Sequence, residues 1–402
     1  MGLGVSLASR GELRLDSEAD RSPPVQRPSD RLSSELGPSI GEVMMLQTIF
    51  LIATMGVACG DSWHLERELV PPTPSLKPRA FTPGAAQAPS KPSGPVASIG
   101  VSGDAKIVAA SFRDGESWLW SGLDAVPVNA DVSNDAFAVP LVAVSDNGIV
   151  WIVKRSDVHC LRPGPEGWIR SSTKIDYVFG EDPTSVFASA SGEECYVGFH
   201  RTGGLNIAGR DTWDRGLLHL GRKKDGSLTK NRIQSKDILA LRIAADGTVL
   251  ATTKETHNGM ETCGVALVKS NGSIQRLNHG PCDRLLAIDK SHDGEVVAVS
   301  VQDAVPNPSK AWVGLVFERR YLPIGERKGG ASRAVAAPGP IDGSFAIGFQ
   351  DGVFIVVEKD GNWRGEETKA HSAPVTAVAC ARRARMILSG AKDGSLKAWK
   401  LK

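Results

Sequence analysis

Between Pro95 and Lys402 the chain is a succession of short apolar or alternating runs broken by polar turns. The last repeat shows the unit most plainly. Val375–Ala379 alternates, Met386–Gly390 is largely apolar, and Ser395–Trp399 alternates again. Asp393-Gly394 separates the last two runs. Gly accepts positive φ without steric cost, so this pair between two strand-like runs predicts a hairpin. One hairpin cannot bury its own face, and it needs neighbours of the same kind.

Those neighbours lie upstream. First runs begin at Val96–Val101, Leu141–Ser145, Ser185–Ala188, Ile238–Ile243, Leu285–Asp289, Arg333–Ala336 and Val375–Ala379. Their spacing, roughly 40–54 residues, is that of a four-stranded propeller blade. Each is followed by an apolar second run, as at Ile107–Ser111 and Val296–Val301, and by a third, as at Ser117–Trp120 and Ala311–Phe317. Fourth runs are weaker, at Trp168–Ser171, Ser227–Arg232, Ile274–Asn278, Tyr321–Ile324 and Asn362–Glu366. Ten Asp-Gly or Asn-Gly pairs fall at the hairpin tips that this register implies. No amphipathic helical stretch of useful length interrupts it, which argues against α/β folds.

The pattern predicts an all-β fold, a β-propeller of seven four-stranded blades over 95–402. The blades fall near 96–131, 140–175, 184–233, 237–279, 283–325, 331–368 and 371–402. The seventh has three runs. Ring closure removes exposed sheet edges, so a fourth strand is expected from 62–83.

The final repeat resembles the WD-repeat family of β-propellers. His371, Ser389, Asp393 and Trp399 stand where that family places a hydrogen-bonded structural tetrad. The resemblance implies a buried polar chain: Trp donates, Asp accepts, and Ser and neutral His do both. Ala370 and Lys400 depart from the family's Gly-His and Trp-Asp pairs. Blade one keeps Asp114 and Trp120 but has Ala110 at the Ser place, and blade six keeps Asp351 but has Val357 for Trp.

Upstream of the repeats the texture differs. Residues 1–43 are polar and lack apolar periodicity, as a disordered or spurious N-terminal extension would. Residues 44–59, MMLQTIFLIATMGVAC, form an apolar segment too short for a bilayer span, which needs about 20 residues. The segment resembles a bacterial lipoprotein or secretory signal, which would make Cys59 a lipidation site. Residues 60–94 are rich in Pro, Ser and Ala and read as an extended tether. Export to the cell envelope, lipid-anchored or free, is therefore expected; the alternative is a cytoplasmic protein translated from Met1.

Composition removes several function classes. The 402 residues carry a formal net charge of +2, so nothing favours nucleic acid or broad adsorption to anionic lipid. A membrane contact is expected only through the N-terminal anchor, and the domain reads as a monomer. Basic clusters at Arg222-Lys223-Lys224, Arg319-Arg320 and Arg382-Arg383 read as solvated turns. The six cysteines contain no CxxC, although Cys263 and Cys282 would be a candidate pair in an exported domain. The eight histidines form no HxxxH or HxH pair, and neither a P-loop nor GxSxG occurs. No catalytic set, metal or cofactor is expected.

One asymmetry points to binding. The connection between second and third runs is long in three consecutive blades, at His200–Gly216, Lys254–Cys263 and Gln302–Lys310. These connections would share one face and build a ridge carrying Arg201, Arg210, Trp213, His257, Asn258 and Met260. Trp and Arg anchor many interfaces, and loops on a rigid scaffold often carry function. The sequence thus predicts a non-catalytic platform for protein partners. The alternative is a ligand- or glycan-binding or enzymatic propeller, recognisable by charged side chains converging at one channel mouth.

Overall fold

The computed structural model describes residues 62–71, 94–130, 138–165, 167–175, 181–201, 216–234, 238–243, 249–257, 260–268, 274–279, 284–290, 295–303, 310–317, 321–328, 335–360 and 367–401. Every regular element among them is a strand.

The strands form seven four-stranded antiparallel sheets. The seam strand β1 is Trp63–Leu69. Blade one holds β2 (Val96–Val101), β3 (Ile107–Phe112), β4 (Ser117–Ser121) and β5 (Val128–Asn129). Blade two holds β6 (Leu141–Val144), β7 (Val150–Lys154), β8 (Asp157–Gly164) and β9 (Gly167–Lys174). Blade three holds β10 (Glu181–Ala188), β11 (Glu194–Arg201), β12 (Gly216–Arg222) and β13 (Leu228–Gln234). Blade four holds β14 (Ile238–Ile243), β15 (Val249–His257), β16 (Met260–Val268) and β17 (Ile274–His279). Blade five holds β18 (Arg284–Lys290), β19 (Val296–Asp303), β20 (Lys310–Phe317) and β21 (Tyr321–Lys328). Blade six holds β22 (Val335–Pro338), β23 (Phe345–Gly348), β24 (Val353–Val357) and β25 (Thr368–Lys369). Blade seven holds β26 (Val375–Ala381), β27 (Met386–Ala391) and β28 (Leu396–Leu401), and β1 adds its fourth strand.

Each blade's first strand packs beside the first strand of the next blade, and β26 packs beside β2. The sheets therefore close into a ring, a seven-bladed β-propeller. Apolar side chains from consecutive blades fill the space between them. Val108, Phe112 and Trp120 of blade one pack with Leu388, Leu396 and Ala398 of blade seven, and all are buried. The seam uses the same chemistry. β1 runs antiparallel to β28 from Trp63↔Leu401 to Leu69↔Leu396. Trp63 makes an edge contact with Phe354, which makes another with Trp399.

The hairpin tips are set by local chemistry. Gly115, Gly148, Gly226, Gly343, Gly352 and Gly394 sit at φ between +70° and +95°, where a β-carbon would strain the chain. The Asp before the glycine fixes the turn from the other side. The carboxylates of Asp114, Asp225, Asp351 and Asp393 each accept the amide two residues on. A second device recurs at the turns from first to second strands. The hydroxyls of Ser102, Ser145 and Ser189 accept the amides of Ile107, Ile149 and Glu194.

Two outer strands and one connection differ from the sequence reading. The fourth strand of blade six lies at Thr368–Lys369, whereas the expected Asn362–Glu366 falls outside the described residues. Blade one has a two-residue fourth strand, too short to leave a periodic signal. Lys254–Cys263 is not an inserted loop. β15 and β16 continue as a regular ladder to His257↔Met260, leaving only Asn258 and Gly259 between them. That Asn-Gly is an eleventh hairpin signal, and it extends the blade rather than interrupting it.

Candidate functional site

Antiparallel pairing fixes which features share a face of the ring. Connections from second to third strands emerge on the face where each first strand begins. Connections from first to second strands emerge on the opposite face. The lengthened hairpins and the His371 side of blade seven therefore lie on one face. The ends of the first strands lie on the other.

In blade seven a single chain of hydrogen bonds runs through the sheet. Trp399 Nε1 donates to Ser389 Oγ at 2.9 Å, and Ser389 Oγ lies 2.8 Å from His371 Nε2. His371 Nδ1 lies 2.7 Å from Ser395 Oγ, which donates to Asp393 at 2.6 Å. Only one assignment gives every bond one proton. An ionised Asp393 accepts only, so Ser395 donates to it and accepts from Nδ1–H. Nε2 then accepts from Ser389, whose oxygen accepts from Trp399. His371 is neutral in this arrangement. Burial and the nearby Lys397 lower its pKa to about 4. Burial opposes ionisation of Asp393, but the Ser395 hydroxyl and amide outweigh it and hold the carboxyl below its ordinary value.

The sequence reading missed Ser395, through which Asp393 reaches His371. Its signal was present two residues after the Asp, where an Asx turn brings a hydroxyl back to the carboxylate. Blade one lacks the chain. Its Ala110 takes the Ser389 place, and Glu116, at the Ser395 place, accepts from Trp118 Nε1 instead. Nothing in the set resembles a catalytic triad in use. Ser389 is wholly buried, and its oxygen is engaged on both sides.

The ring encloses a channel of about 1020 Å³ lined by all seven first strands. Apolar side chains such as Ile99, Leu241, Leu286 and Ile288 form much of its wall. At the mouth where the first strands end, charged groups from several blades meet. Asp289, only 2% exposed, accepts from Arg242 Nε at 3.0 Å and from Arg382. Arg382 also donates to Gly339 O at 3.2 Å and lies 3.7 Å from Asp342. Arg383 donates to Asp146 O at 2.9 Å, while the Asp146 carboxylate accepts the Gly103 amide. The turn after β26 thus ties blade seven to blades two, five and six, and through Asp289 to blade four.

Arg382 is therefore not a solvated turn residue, as the run of basic residues implied. Arg222 also differs from that expectation, since it pairs with Glu193 at 2.5 Å; Lys223 and Lys224 are exposed. Arg319 and Arg320 lie outside the described residues. No sequence signal marks Arg242, Asp289 and Arg382 as partners, because only the curvature of the ring brings them together.

Of the predicted ridge, Arg201 ends β11 opposite Glu181 in the backbone ladder, and His257 and Met260 are backbone ladder partners at the ends of β15 and β16. Arg210, Trp213 and Asn258 lie outside the described residues, as does Cys59. Cys263 lies on β16, and Cys282 lies outside the described residues. Cys160, Cys195 and Cys380 are free thiols, and burial raises the pKa of Cys160 and of Cys380 to about 12. Among the described residues no group of His, Cys, Asp or Glu is placed to hold a metal ion.

Fold and polar chain together define the class: a seven-bladed propeller whose last blade carries a WD-type hydrogen-bond set. Residues 365–400 match the family model for the WD domain, G-beta repeat. Among curated proteins none matches the chain. Propellers of this repeat type commonly serve as protein-interaction platforms and are generally non-catalytic.

Proposed function

We propose that this chain is a non-catalytic, monomeric platform that binds protein partners through the face carrying the lengthened hairpins of blades three to five. The observation that carries this reading is the β15–β16 ladder. Its strands run nine residues each to a two-residue tip, on a ring closed by its own seam strand. A hairpin held by its own ladder presents side chains at low entropic cost. Arg201, Arg210, Trp213, His257, Asn258 and Met260 are the proposed contact residues. We propose further that the chain is exported and tethered through Cys59, which the apolar segment 44–59 supports.

Proximity labelling in cells, comparing the native chain with one whose 202–215 connection is replaced by a short turn, tests the platform. Loss of specific partners with an unchanged melting temperature is expected. Identical partner sets would overturn the ridge. The mature N-terminus, read by intact mass, tests the anchor: an acylated Cys59 is expected, and an unprocessed Met1 would exclude it.

A further inference from the structure

Arg242 at the channel mouth has donors that no described residue accepts from. Arg242 uses Nε on Asp289, and neither of its terminal nitrogens bonds a described residue. The Phe187 ring lies 4.9 Å from its guanidinium carbon and supports one side of the plane. Burial lowers the pKa of Arg242, so its charge is partly desolvated, and Asp289 offsets this only while also serving Arg382. Among the described residues Arg242, Lys290, Arg382 and Arg383 line this end together with Asp146, Asp289 and Asp342. The whole channel, at about 1020 Å³, slightly exceeds the range of small-molecule sites, roughly 300–1,000 Å³, so one end of it has room for such a ligand.

The geometry points to this end of the channel as a binding site for a small molecule with an oxyanion head and an apolar body. The head takes the outer edge of Arg242, which no described residue fills. A guanidinium presents two parallel N–H groups there, and these match two oxygens of a carboxylate or phosphate. Asp289 acts as a positioning residue: by holding Nε it aims the opposite edge into the channel. The apolar body lies against Leu286 and the edge of Leu241, which need no polar partner from it. The site is on the face opposite the lengthened hairpins, so ligand and protein partner need not compete.

Calorimetric titration of the full chain with hexanoate, hexyl phosphate and hexan-1-ol tests this. At least one anion is expected to bind roughly tenfold or more tightly than the alcohol, the scale of a charge-assisted pair. The tighter anion identifies the head as carboxylate or phosphate. Arg242→Gln should remove the preference, and Arg242→Lys, which keeps the charge but not the fork, should fall between. Equal affinity for hexanoate, hexyl phosphate and hexanol in the parent chain overturns the proposal, as does no binding of either anion at millimolar concentration. The parent comparison decides the matter even where a variant fails to fold.

Discussion

Gly390 makes room for Val96. A β-carbon on Gly390 would meet Cγ1 of Val96 at 2.5 Å, so the second strand of blade seven approaches blade one more closely than any side chain permits. The same relationship joins blades six and seven, where a β-carbon on Gly348 would meet Val375 Cγ1 at 2.4 Å. Val96 and Val375 are equivalent residues, each opening a first strand. The closing junction of the ring is therefore built like an internal one. Thr376 adds to it by donating to Val96 O at 2.7 Å.

Overpacking at this junction has a definite cost. Gly390→Ala should destabilise the ring by about 1–3 kcal/mol. Val96→Ala in the same chain removes the clashing methyls and should recover part of that loss. Urea denaturation of both single variants and the double variant gives the coupling energy, and strict additivity would show that the two residues do not compete for space.

The seam strand should matter to the whole ring. Trp63 is 8% exposed and sits among Phe354, Ile387 and Trp399, so Trp63→Ala should cost about 3–5 kcal/mol. Leu65 lies on the same strand but is 46% exposed, and Leu65→Ala should stay within about 0.5 kcal/mol. Melting temperatures of the two variants separate burial from simple strand truncation. Equal effects would mean that β1 is held by its ladder alone.

The polar chain of blade seven makes stability depend on acid. The folded pKa of His371 is about 4, below its ordinary value of 6.5, so folding favours the neutral ring. Its contribution is fully present above pH 6.5 and is lost as pH falls toward 4, where the unfolded chain binds a proton that the folded chain does not. The loss amounts to about 3 kcal/mol. His371→Asn should lower stability at neutral pH and flatten the profile between pH 6.5 and 4 relative to the parent. A parallel profile in the variant would mean that other groups carry the acid sensitivity.

The strand rhythm, the Asp-Gly tips and the blade count were legible along the chain because they rest on contacts between residues close in sequence. A hairpin needs only its own alternation and a turn residue that accepts positive φ, so Val375–Trp399 shows both its strands and its His371–Trp399 polar set. Short outer strands were less legible, because the two residues of Thr368–Lys369 cannot display a period. The Lys254–Cys263 stretch was misread because strand continuation past the sheet body is set by pairing with the partner strand, although Asn258-Gly259 marked its tip. Tertiary structure alone decided the channel mouth. Arg242, Asp289 and Arg382 come from three blades, and their charges meet only where a closed ring turns its first strands toward one axis. No local rule links positions so far apart in the chain, since their pairing depends on curvature summed over every blade between them.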